Sequence, residues 1–153
     1  MAKKHWGWHL ILDVTECDRS KIKDQDFLKS WVTNLVKEIK MVAYGDPQVI
    51  HFGHGEPHLA GNTVLQFIET SNIVAHYCDE FGDAYIDVFS CKEFNPAVVI
   101  KNINDIFQPK AIMARMLLRG AEEDVRGKEK NDNYTLKFGY KDIESCSDML
   151  SYK

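Results

Sequence analysis

The chain has 153 residues with a formal charge of -4, 44% hydrophobic and 27% charged side chains. That length and balance suit one soluble globular domain with its own core, without a disulfide framework or structural metal. Charges of both signs are interspersed, which argues against nucleic-acid or anionic-membrane partners. No apolar run is long enough for a membrane span or secretion signal, so the expected location is cytoplasmic.

The first element predicted is a strand from Trp8 to Thr15, with Leu10, Leu12 and Val14 on one face and His9, Ile11 and Asp13 on the other. The polar residues 16–24 read as a connection. A helix is expected over 25–42, because Phe27, Leu28, Trp31, Val32, Leu35, Val36 and Ile39 form an apolar stripe and Asp24 can cap its start. Gly45, Asp46 and Pro47 should end that element, and Gln48 to Gly53 reads as a second strand.

The loop that follows carries His51, His54, Glu56 and His58. Such a set invites comparison with zinc or nickel ligands. No regular strand or helix presents it, however, so a polar loop beside a ligand pocket is the preferred reading and no metal is assigned. Cys17, Cys78, Cys91 and Cys146 lack metal or redox spacing and are expected as thiols.

Thr63 to Thr70 reads as a third strand that continues extended through Tyr77, and Asp83 to Cys91 as the next. The polar segment between them, with Gly82, suggests a hairpin centred near Glu80. Residue 76 would then pair with about 84, and Cys91 would fall opposite Thr70 or Ser71. This register predicts that Ser71, His76 and Cys91 gather at one end of one sheet, where fixed geometry lowers the entropic cost of their encounter.

Asn95 and Pro96 open a helix whose buried face is Val99, Ile103, Ile106 and Phe107, with Pro109 as its stop. Ala111 to Leu118 alternates as a last core strand. The expected fold class is α+β, a two-layer sandwich with helices on one face of a mostly antiparallel sheet. Residues 1–120 form the domain, and 121–153 are expected to be a partly ordered extension, with an edge strand possible over 134–140.

The central stretch resembles a known family. Thr70-Ser71-Asn72-Ile73-Val74-Ala75-His76, Glu80-Phe81-Gly82 and Asp87-Val88-Phe89-Ser90-Cys91 are similar to the motifs Glu-Ser-His-Ile-x-x-His, Glu-Tyr/Phe-Gly and Asp-Val-Phe-Thr-Cys of the prokaryotic-type S-adenosylmethionine decarboxylases. Gly7 to Asp13 and Cys17-Asp18 resemble the family's opening strand, and the likeness runs over about residues 7–118. It implies self-cleavage between Thr70 and Ser71, which leaves a pyruvoyl group made from Ser71 and no need for an external cofactor. That ketone condenses with the substrate amine and serves as electron sink for decarboxylation, in a route to spermidine.

By the same resemblance His76 is the processing base, Cys91 the proton donor to product, and Thr63 a hydroxyl that assists processing. Glu80 would bind the substrate ribose and Phe52 the adenine. The resemblance also implies a homodimer whose sheets stack into αββα layers, which suits a sheet covered on one face only. Thr70 and Asn72 depart from the motif, where glutamate and histidine are usual, and Cys78-Asp79 replaces Trp-Pro. Two alternatives follow: an ornithine or arginine decarboxylase of the same fold, with Asp79 receiving the substrate's distal cation, or a non-processing, non-catalytic homologue.

Overall fold

The computed structural model describes residues 5–120. The edge strand expected over 134–140 and the extension 121–153 lie outside the described residues. In chain order the elements are β1 (Gly7–Thr15), α1 (Arg19–Lys23), α2 (Gln25–Glu38), β2 (Ala43–Phe52), β3 (Gly61–Ile68), β4 (Ser71–Tyr77), β5 (Ala84–Ser90), α3 (Pro96–Phe107) and β6 (Ala111–Arg119), with a 3-10 turn at Pro57–Leu59. The strands form one sheet in the order β2-β3-β4-β5-β1-β6, every neighbouring pair antiparallel.

Alternation along the strands decides which face the helices cover. Leu10, Leu12 and Val14 of β1 and Ile86 and Val88 of β5 are buried, whereas His9, Ile11 and Asp13 look to the other side. Leu28, Trp31, Val32, Leu35 and Val36 of α2 and Val99, Ile103 and Phe107 of α3 complete the core. Asp24 accepts from the Phe27 N–H and Asn95 from the Ala97 N–H, so both long helices start on side-chain caps. The helices are tied together where the Trp31 indole donates to Asn102 (2.9 Å) and the Asn102 amide donates to Glu38 (2.9 Å). Phe107 sits between Trp31 and Tyr77, with ring centroids 5.0 and 5.7 Å away.

Several boundaries differ from the pattern reading. Residues 19–23 are helical, started by Asp18, which accepts from the Ser20 N–H. Helix α2 stops at Glu38 rather than at 42, because Lys40 takes φ 57° and turns the chain towards β2. Gly45 to Pro47 do not end an element but form an irregularity inside β2, where the register shifts between Tyr44 and Gln48. The stretch expected as one strand running on from Thr63 through Tyr77 is two. Ile68 pairs with Ser71, so Glu69 and Thr70 make a two-residue reversal.

Strands β3 and β4 come very close to one another at Gly61. A Cβ there would lie 1.7 Å from the Tyr77 carbonyl oxygen. Gly61→Ala should therefore cost on the order of 1–3 kcal/mol or more, as overpacking does. The measurement is the urea midpoint, and an unchanged midpoint would contradict the close approach.

The second sheet face carries no helix. Tyr44, Ile50, Phe67, Tyr85, Met113 and Leu117 are exposed on it. Its polar groups are already paired in part: His9 Nε2 lies 2.8 Å from Asp87 Oδ1, and Arg115 donates to Asp13 (3.2 Å).

Candidate functional site

Ser71 begins β4 just after the reversal and has φ 147°, a region that residues with a side chain rarely adopt. Strain of that kind costs on the order of 1–3 kcal/mol and persists only where surrounding structure imposes it. Here the ladder imposes it, since Ser71 pairs with Ile68 on one side and with Ser90 on the other. The Cys91 N–H donates to the Thr70 carbonyl (2.9 Å), which places residue 91 across from the Thr70–Ser71 bond. Half-buried Cys91 is thus brought beside Ser71, as the hairpin register predicts.

His76 is not brought there. It pairs with Tyr85 on β5 and with Thr63 on β3, at the far end of β4. Five residues of strand amount to about 16 Å, too far for the two side chains to meet within one chain. The expectation that Ser71, His76 and Cys91 meet at one end of one sheet is therefore wrong within a chain. The β4/β5 ladder pairs Ser71 with Ser90 at one end and His76 with Tyr85 at the other, so the length of β4 itself separates the two.

A second group assembles around His76. Thr63 Oγ1 lies 3.3 Å from His76 Nδ1. Phe52, exposed at the end of β2, pairs with Gly61, which packs on the Tyr77 carbonyl next to His76. Glu80 follows in the turn after β4, its carboxylate side exposed and its backbone oxygen accepting from Arg19 Nη2 (2.9 Å). The residues of interest thus fall into two sets: Thr70, Ser71 and Cys91 at one end, and Phe52, Thr63, His76 and Glu80 at the other. Two surface hollows, one lined by Asn104, Asp105, Gln108 and Pro109 and one by Lys29, Ser30, Thr33, Asn34, Asp46 and Pro47, include none of them.

The histidine loop does not converge. His51 Nε2 sits 2.8 Å from Asp79 Oδ2 and its ring lies 4.8 Å from that of His54, while His58 approaches Glu56. Among the described residues no group of three or more such side chains is arranged to hold a metal ion. The His51–Asp79 contact was not foreseen, because it joins β2 to the turn after β4 and only the strand order reveals it. Cys17 is a core thiol, its pKa pushed up to about 11, first by burial and then by the charge of Asp83. It stays protonated and inert, which leaves Cys91 as the thiol next to Ser71.

A six-stranded antiparallel sheet covered by helices on one face defines the class, an α+β two-layer sandwich. Within that class, the chain belongs to the S-adenosylmethionine decarboxylase family, whose sequence profile matches residues 8–120. It is 28% identical over 130 residues to the S-adenosylmethionine decarboxylase proenzyme of Synechococcus sp. (strain WH7803), covering 84% of this chain and 97% of that one. The proenzyme of Methanococcus maripaludis is 29% identical over 128 residues, covering 82% and 99%. The crystal structure of the Aquifex aeolicus adenosylmethionine decarboxylase superposes with a TM-score of 0.65 at 23% identity, over 80% of this chain and 97% of that one, so the two share a fold.

Proposed function

We propose that the chain is the precursor of a pyruvoyl-dependent S-adenosylmethionine decarboxylase that cuts itself between Thr70 and Ser71 and works as a homodimer. The observation that carries this reading is the state of that bond. It lies in a two-residue reversal, with a strained Ser71 on one side and a carbonyl bonded to the Cys91 N–H on the other. A serine so placed fits the origin of a pyruvoyl group, which supplies an electron sink for the carbanion that decarboxylation leaves. Cys91, whose N–H is bonded to the Thr70 carbonyl, is the group we assign to protonate the substrate carbon.

The division into two sets supports the dimer. A two-fold axis in the plane of the open face, crossing the strands near Val74, lays the His76 end of one sheet over the Ser71 end of its partner. Each site is then made of Ser71 and Cys91 from one chain and Thr63, His76, Glu80 and Phe52 from the other, and the exposed apolar face is covered. His76 serves as the base for the serine α-proton, Thr63 holds its ring, and Glu80 and Phe52 offer a carboxylate for the ribose diol and an aromatic face for adenine. Asp79, which an ornithine or arginine substrate would need, is drawn instead to His51, with its second oxygen buried.

Intact mass spectrometry of purified protein should give fragments of 70 and 83 residues, with a blocked, borohydride-reducible terminus on the larger. Carbon dioxide release from carboxyl-labelled S-adenosylmethionine, and not from ornithine or arginine, completes the test. A full-length chain with a free Ser71 after long incubation would refute the reading.

A further inference from the structure

Around the Thr70–Ser71 bond the chain builds a hydrogen-bond relay that none of the roles above uses. The Lys92 N–H donates to Ser90 Oγ (2.9 Å), the Ser90 hydroxyl donates to Thr70 Oγ1 (2.9 Å), and the Thr70 hydroxyl donates to Met41 Sδ (3.4 Å). Ser90 Oγ also lies 3.9 Å from Met41 Sδ, a longer contact than its 2.9 Å bond to Thr70, so the shorter bonds lead from a backbone amide through both hydroxyls to a thioether. Ser90 is fully buried and Met41 nearly so. At that strand position an apolar residue would pack like Ile86 and Val88 before it, and a buried hydroxyl is tolerated only because it is bonded.

Thr70 is therefore gripped twice. Its side chain is held by Ser90 and Met41, and its carbonyl by the Cys91 N–H. A residue in a two-residue reversal has few other restraints, since Glu69 beside it is exposed and only its N–H, donated to the Val42 carbonyl, ties it to the sheet rim. Attack by the Ser71 hydroxyl forms a bond from Oγ to the Thr70 carbonyl carbon and breaks that carbon's bond to the Ser71 nitrogen, which takes up the hydroxyl proton. In between, the Thr70 oxygen carries negative charge. A donor fixed beforehand on that oxygen stabilises the charge without reorganisation.

We infer that Ser90 is a positioning residue for self-cleavage: through the Thr70 hydroxyl it holds the scissile carbonyl on the Cys91 backbone N–H, which receives the oxyanion. This rests on the cut proposed above. It gives Thr70, which stands where relatives of the motif carry glutamate, a function of its own in this chain.

The test measures the rate of appearance of the 70- and 83-residue fragments in the full chain. Ser90→Ala and Thr70→Val should each slow cleavage roughly tenfold, the rate equivalent of one lost hydrogen bond, while Ser90→Thr and Thr70→Ser, which keep the hydroxyls, should stay near the wild-type rate. The double variant Ser90→Ala, Thr70→Val should be no slower than the slower single one, because both remove the same bond. Purely structural damage would instead multiply. If Ser90→Ala fails to fold, Thr70→Val against Thr70→Ser decides, since that residue lies on the rim. Wild-type rates in Ser90→Ala or Thr70→Val, or multiplying effects in the double variant, would overturn the relay and leave the decarboxylase reading standing. Failure of the wild-type chain to cut would overturn both.

Discussion

Ser71→Ala should leave the chain in one piece, a single species of 153 residues, under conditions in which the proposed cut converts the wild type. The substitution removes the hydroxyl of the residue that directly follows the Thr70 carbonyl, and with it the atoms from which the ketone would form. The loss is total rather than graded, since no neighbouring group can substitute for an attacking atom inside the same peptide unit. Intact mass over several days at neutral pH is the measurement, with thermal unfolding as a check that the sheet survives. Appearance of fragments at the wild-type rate would show that cleavage, if it occurs, does not begin at Ser71.

His76→Ala alone should be slowed about 10²–10⁴-fold in processing, the usual contribution of one acid–base group. Mixed with Ser71→Ala it should recover. In a mixed dimer the Ser71 of the His76→Ala chain faces the intact His76 of its partner, so one of the two composite sites is whole. With random pairing about half of the His76→Ala chains lie in mixed dimers, and that half should be cut at the wild-type rate. Mass spectrometry with one chain isotopically labelled reads which chain is cleaved. Mixed dimers that form without cutting either chain would place His76 and Ser71 in the same protomer's chemistry and refute the composite site.

Much of this architecture was legible because it depends on short-range patterns. The alternation of Leu10, Leu12 and Val14, the stripe from Phe27 to Val36 and the Asn95–Pro96 start each fix an element and its buried side. The hairpin register was legible too, and it put Cys91 across from Thr70. The reversal at Glu69 and Thr70 was not, because neither residue is a glycine or asparagine and the β-branched run continues through Ile73 and Val74. The place of His76 was legible in that register, since a residue paired with about 84 sits at the turn end of the hairpin and five residues of strand from Ser71. The relay through Ser90 and the pairing of His51 with Asp79 depend on strand order, which no local pattern carries.

A cut at the proposed bond would also change how the sheet assembles. That bond lies in the tip that joins two adjacent strands, so a cut there would sever the covalent path while the ladders on both sides of β4 remain intact. The nicked hairpin would keep its shape, and the backbone tension at residue 71 would be released because a chain terminus has no preceding peptide to constrain it. Before the cut, β3 and β4 find each other across two residues of chain. Afterwards the same pairing is an encounter between separate polypeptides, slowed by dilution and exposed to aggregation. Cleavage at this bond would thus be a one-way step in folding as well as in chemistry: the sheet would have to be complete first, and once opened by denaturant it would have lost the connection that assembled it.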